Sequence, residues 1–201
     1  MRLSRAAAAL AAFAGCGAQG PPQKAPQEVP EQAAATAERD AAVLEAARAV
    51  LAAGSCREAT AAIADAPRRL EDARFRGAVW QPVRVEGCGR RSRLNMLVAP
   101  APGGGASITQ LLPGATLADP VQQREGLRLA LRAVRDAAPA CERAAVNDTR
   151  AEPAVDAAQP RSEVWTISAC GRAYAVPVRF APGRDGATEI TVDPGAVRPL
   201  G

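Results

Sequence analysis

The chain contains no histidine, a single lysine (Lys24) and a single tyrosine (Tyr174) among its 201 residues. Without imidazole it lacks the commonest general base and the commonest metal ligand. No Cys-x-x-Cys pair or tight carboxylate cluster takes its place, so neither a metal nor another cofactor is expected. Past the N-terminus the only aromatics are Phe75, Trp80, Trp165, Tyr174 and Phe180. They do not interleave with basic residues as a nucleic-acid platform requires, and acids are mixed with the arginines throughout, so nucleic acid is excluded as a partner. The longest early apolar run, Ala6 to Phe13, is far short of the roughly 20 residues a membrane-spanning helix needs. Nucleophile motifs are missing too. Ser55, Ser92, Ser107, Ser162 and Ser168 have no G-x-S-x-G setting, and no S-x-x-K occurs in the mature chain. Gly103-Gly104-Gly105 lacks a following Gly-Lys-Ser/Thr and so is no phosphate cradle. An enzyme is not expected.

What is present is a repeat. At a shift of 82 positions Cys88-Gly89-Arg90 matches Cys170-Gly171-Arg172, Ala99-Pro100 matches Ala181-Pro182, Gly104 matches Gly186, and Ile108-Thr109 matches Ile190-Thr191. At a shift of 85, Cys56 matches Cys141, Arg76 matches Arg161 and Val79-Trp80 matches Val164-Trp165. Taken along the sequence, the change of shift puts three extra residues between Trp80 and Cys88. Two copies of one small module follow, residues 32–117 and 118–201. Bodies of that size bury little apolar surface and usually need a covalent aid to stay folded.

Ahead of them, residues 1–15 read as an export signal, with Arg2 and Arg5 followed by the short apolar run. It ends in Phe13-Ala14-Gly15-Cys16, which resembles the lipobox of bacterial lipoproteins, with Phe13 where Leu is usual. The resemblance implies cleavage before Cys16 and acylation of Cys16, with palmitate-type chains inserted in a membrane. One chain holds only marginally and two hold stably, because each buried methylene contributes about 0.8 kcal/mol. Gly17 in place of Asp implies, by the sorting rule of enterobacterial lipoproteins, the outer membrane facing the periplasm. The plainer alternative is an ordinary signal with a chance cysteine. Residues 16–31 carry Pro21, Pro22, Pro26 and Pro30 and read as a tether, extended at about 3.1 Å per residue, that holds the folded part up to about 45 Å from the lipid.

Each module opens on a helix. In the first, Val43, Ala47, Val50 and Leu51 recur at helical spacing between Gln32 and Ala53, with Gly54 as the stop. In the second, Asp119, Pro120 and Gln122 form an N-terminal capping signature, Leu127, Leu131 and Val134 the apolar stripe, and Pro139 the end. A polar stretch after each helix reads as loop, with a short helix over Arg57 to Ala66. From each Trp onward the period becomes two: Trp165 and Ile167, then Tyr174, Val176, Val178 and Phe180, then Ile190 and Val192, echoed by Leu94, Met96, Val98 and Ile108. The predicted fold class is therefore α+β, two tandem modules, each a helix packed on a three-stranded antiparallel sheet. Pro82 and Pro177 are expected at sheet edges or bulges.

Cys16 accounts for the odd member of the five cysteines. The other four lie two per module, and of three possible pairings only Cys56–Cys88 with Cys141–Cys170 makes each module self-contained. Such bonds belong to an oxidising compartment, and each is worth on the order of 3.5 kcal/mol for loops of this length. Arg124, Arg128, Arg132 and Arg135, spaced four, four and three, form a stripe on the second helix. It is either a face for an anionic partner, such as a lipid headgroup or an acidic protein patch, or a solvated surface paired with Glu125 and Asp136. The two tryptophans are expected in the core on their own helices, the alternative being sugar-stacking platforms.

Trp165, Cys170-Gly171, Tyr174, Val176, Phe180, Gly186-Ala187-Thr188 and Ile190 together resemble small proteobacterial envelope lipoproteins to which no activity is assigned. The first copy matches less well, with Ser92 in place of the tyrosine. The resemblance covers about 35 residues per copy. The expectation is a lipid-anchored cell-envelope protein with a binding or structural role, its partners the membrane and an envelope protein or anionic surface. The alternative is a secreted inhibitor, since tandem disulfide-stapled modules look like the architecture of β-lactamase inhibitory protein.

Overall fold

The structure, a computed structural model, describes residues 30–53, 56, 58–153, 160–184 and 186–201. The leader, Cys16 and nearly all of the expected tether lie outside them, as do Gly54 and Ser55. The first copy comprises α1 (Pro30–Ala53), β1 (Thr60–Ile63), β2 (Arg68–Arg69), β3 (Val79–Gly87), β4 (Arg90–Pro100) and β5 (Ala106–Gln110). The second comprises α2 (Pro120–Ala137), β6 (Ala144–Ala151), β7 (Arg161–Ala169), β8 (Arg172–Pro182), β9 (Thr188–Val192) and β10 (Arg198–Leu200).

The expected three-stranded sheet is wrong for both copies. The meanders β3–β4–β5 and β7–β8–β9 exist, but each belongs to a five-stranded antiparallel sheet. In the first the order is β1-β3-β4-β5, with β2 also paired to β3. In the second it is β10-β8-β7-β6, with β9 also on β8. Strands β1 and β6 take the place of the expected loop and short helix after each helix. Thr-Ala-Ala-Ile is only four residues long, and Ala-Ala-Val-Asn-Asp-Thr-Arg-Ala holds just two β-branched residues and no aromatic one. Pairing to a well-formed neighbour holds them extended despite weak local preference.

The register also relocates the three extra residues. β3–β4 and β7–β8 run without irregularity at a constant shift of 82, and both are closed by two-residue turns. The shift is 85 only upstream, where Thr60 faces Glu86 and Ala145 faces Ser168. The extra residues therefore lie in the β1–β3 connection, ahead of Trp80, and not between Trp80 and Cys88. Side chains alternate along a strand, so an offset of three puts the tryptophans on opposite faces of their sheets. Trp165 packs on α2, where a Cβ on Gly126 would sit 2.7 Å from its ring. Trp80, out of phase with Val83 and Val85, faces away from α1 with Arg68 stacked over it at 4.9 Å. Both are buried, at 2% and 0% exposure, so neither offers a ring face to a sugar.

Each core lies between helix and sheet. Val43 and Ala47 meet Val83, Val85, Leu94, Met96 and Val98 in the first copy. Ala130 and Val134 meet Trp165, Ile167, Tyr174, Val176, Val178 and Phe180 in the second. Both expected disulfides are formed, Cys56–Cys88 and Cys141–Cys170, with Cα atoms 6.0 and 5.6 Å apart. Cys88-Gly89 and Cys170-Gly171 are the central residues of the hairpin turns, all four at positive φ, as tight hairpins with right-handed strand twist require. Each bond ties the end of the helix to the tip of that hairpin.

Pro82 and Pro177 lie in interior strands and not at edges or bulges. Pro82 falls between the part of β3 paired to β1 and the part paired to β2. Pro177 falls where the partner of β8 changes from β10 to β9. A residue with no N–H suits the gap between two ladders as well as it suits an edge.

Residues 111–119 join the copies, and they are fixed at both ends. Leu111 and Gly114 donate N–H to the carbonyls of Asn95 and Arg93 on β4. Ala115 then pairs in parallel with β6, donating to the Thr149 carbonyl at 2.6 Å and accepting from Ala151. Trp80 Nε1 donates to Asn95 Oδ1 at 3.0 Å, and Asn95 Nδ2 donates to the carbonyls of Leu112 and Gly114. Trp165 Nε1 donates to Glu163 Oε2 at 2.9 Å, and the same carboxylate accepts from Thr116 Oγ1 and Leu117 N–H, each at 2.8 Å. Each tryptophan thus orients the polar side chain that grips one half of the connection.

Candidate functional site

The arginine stripe stands on the best-marked helix of the chain. Asp119 caps α2 by accepting from the N–H groups of Val121 and Gln122, and Gln122 Oε1 accepts from the Asp119 N–H, which closes the capping box read from the sequence. Gln123, missed by that reading, adds a second hold: its Oε1 accepts from Leu112 N–H and its Nε2 donates to the Ala118 carbonyl. The start of α2 is therefore locked to the connection between the copies.

Arg124, Arg128, Arg132 and Arg135 all lie on the exposed side of α2. Arg128 forms a salt bridge with Glu125 at 2.6 Å. Its hydrogen bond, aided by the charges of Arg128, Arg124 and Arg132, holds the Glu125 carboxyl below the usual carboxylate range. Among the described residues Arg124, Arg132 and Arg135 have no ion pair, and the expected pairing with Asp136 is not made. On α1, by contrast, Arg39 is bridged to Asp40 at 2.7 Å.

A groove runs beside the stripe. Leu127 and Leu131 of α2 form one wall, Leu111, Leu112 and Pro113 of the connection lie across from them, and Ala144–Val146 of β6 close the side, enclosing about 460 Å³. A second hollow of about 410 Å³ continues along α2 from the shared Leu131 and Ala144 to Val134 and Ala138. Arg124 lines the first and Arg135 the second, with Glu142 the only acid among the described residues of either wall. The stripe thus puts Arg124 on the rim of an apolar groove and Arg135 on the rim of the more polar hollow beyond it.

Other positions singled out from the sequence remain scattered. Gly103-Gly104-Gly105 forms the exposed turn between β4 and β5, all three residues at positive φ. Ser92, Ser107, Ser162 and Ser168 lie apart on β4, β5 and β7. Among the described residues no group of three Asp, Glu or Cys side chains is placed to hold a metal, and no helix is long and apolar enough to cross a membrane. Glu163, fully buried, escaped the sequence reading. Its signal was there: it has the inward parity of Trp165 and Ile167, two positions before the tryptophan.

By fold the chain is a pair of helix-on-five-stranded-sheet modules, each holding one disulfide, with a basic trough beside the second helix. No family model, no curated protein and no solved structure matches it.

Proposed function

We propose that the chain is a lipid-anchored protein of the bacterial cell envelope that acts by binding and not by catalysis. The observation that carries this reading is the division of its cysteines. Four are consumed in two bonds, each within one module, which suits an oxidising compartment. The fifth, Cys16, stands alone at the end of a short apolar leader, where acylation would place it. Gly17 favours the outer membrane, with the modules on the periplasmic side. The binding role is supported by the exposed basic rim of α2 and the apolar trough beside it. A diffusible inhibitor would make no use of an acylated Cys16, so the anchor also separates the two readings.

The test is Cys16→Ser in the native host. The wild-type chain should partition with membranes and into the detergent phase of a Triton X-114 extraction. The variant should move to the soluble fraction by tenfold or more. The same distribution for both would overturn the anchor.

A further inference from the structure

We propose that the trough between α2 and the open end of β6 takes an extended acidic segment of another envelope protein, added as a further strand to β6. This deepens the binding role proposed above and does not depend on the lipid.

β6 is the last strand of its sheet, paired to β7 on one side. Its far half is covered on the other side, where Ala115 pairs with Thr149 and Ala151. Its near half has no such cover among the described residues: Ala144, Ala145 and Val146 line the trough. Sheet edges usually carry lysine, proline or inward charge to repel a further strand. Ala144-Ala145-Val146 has none of these, and its short side chains leave the backbone within reach, up to the bulge between Val146 and Asp148 that ends the open edge. Backbone pairing to such an edge supplies affinity, while pockets for alternate side chains supply choice of sequence.

The trough states what those side chains are. A strand laid along β6 turns every second residue toward α2, where Leu127 and Leu131 form an apolar wall between Arg124 at one end and Arg135 at the other. Arg124 to Arg135 spans about 16 Å of helix at 1.5 Å per residue. Residues 1 and 5 of an extended strand share a face and lie about 13 Å apart at 3.3 Å per residue, and the long arginine side chains cover the difference. The matching sequence is acidic–any–apolar–any–acidic, which places a carboxylate near each end of the stripe. Among the described residues Arg124, Arg132 and Arg135 have no ion pair, so three guanidinium groups can take new carboxylates. A membrane surface would use the charge but neither the open strand edge nor the apolar wall.

A phage library of random decapeptides panned on the full chain in detergent tests this. Enrichment of the acidic–apolar–acidic alternation is expected. A synthesised winner should bind at least tenfold more weakly to the double variant Arg124→Glu with Arg135→Glu, which alters only exposed side chains. The same peptide N-methylated at alternate backbone nitrogens should lose binding at least tenfold, a control that leaves the protein untouched. Winners without acidic bias, or an N-methylated peptide that binds as well as its parent, would overturn the proposal. So would saturable binding to phosphatidylglycerol vesicles with no peptide enriched. Because the assay is done on the full chain in detergent, its failure would leave the Cys16 partition result standing, and the reverse holds too.

Discussion

Gly114→Ala should destabilise the protein by at least about 4 kcal/mol and loosen one copy from the other. Gly114 sits at φ +94°, and a Cβ there would lie 2.3 Å from both the N and the O of Thr149 and 2.4 Å from Asp148 Oδ1. Two of those atoms are backbone of a paired strand, so they cannot swing aside as the tip of a long side chain can. Overpacking of this kind costs about 1–3 kcal/mol, and positive φ at a residue with a Cβ adds roughly 1–2 kcal/mol. The hydrogen bonds of Ala115 to Thr149 and Ala151 would be lost as the segments part, at about 1 kcal/mol each. Urea unfolding followed by tryptophan fluorescence reads the effect at its source, because Trp80 and Trp165 anchor the two ends of this connection. A change below about 1 kcal/mol would mean that the copies are not clamped together through residues 111–119.

Glu163→Ala should cost about 3–5 kcal/mol, the usual consequence of removing one member of a buried charged network. Glu163 is fully buried and accepts from Thr116, Leu117 and Trp165, with Arg161 Nε 3.9 Å away. Without it three donors lose their acceptor, and among the described residues Arg161 keeps Gln122 and its stacking over Phe180 at 4.6 Å. Glu163→Gln keeps the shape but turns an N–H₂ toward groups that already donate, so it should recover only part of the loss. Thermal melts of the two variants decide the matter, and a Glu163→Ala protein as stable as wild type would contradict the assigned network. Because Gly114 and Glu163 hold the same nine residues, the double variant should lose less than the sum of the single ones.

The residues that announced the fold were those with strong local chemistry. Asp119, Pro120 and Gln122 can satisfy a helix start in few other ways, and the structure uses them so. Tyr174, Val176, Val178 and Phe180 alternate because one face of β8 is buried. The disulfide pairing followed from the repeat alone. What stayed illegible depended on tertiary partners. β1 and β6 are strands because β3 and β7 lie beside them, and nothing in Ala-Ala-Val-Asn announces that. The tryptophans illustrate a subtler failure. Matching Trp80 to Trp165 by identity implied equivalent places, whereas strand register pairs Trp165 with Val83 and sends Trp80 through to the other face. Proline reasoning failed at Pro82 and Pro177 in a similar way, because an interior strand whose neighbour changes midway has a gap that a sequence does not display. Of the candidate site, the four arginines could be read from their spacing. The trough beside them could not, since it needs Leu111–Pro113 brought against α2 from the far side of the connection.

We propose a chain exported from the cytoplasm and anchored through Cys16, and the structure staples it once within each half. Mass spectrometry of the protein taken from its own cells, digested without reductant, examines all three together. The expected result is an acylated N-terminal peptide starting at Cys16, with peptides joined through Cys56–Cys88 and Cys141–Cys170. A peptide that retains residues 1–15, or four free thiols in the folded halves, would contradict it.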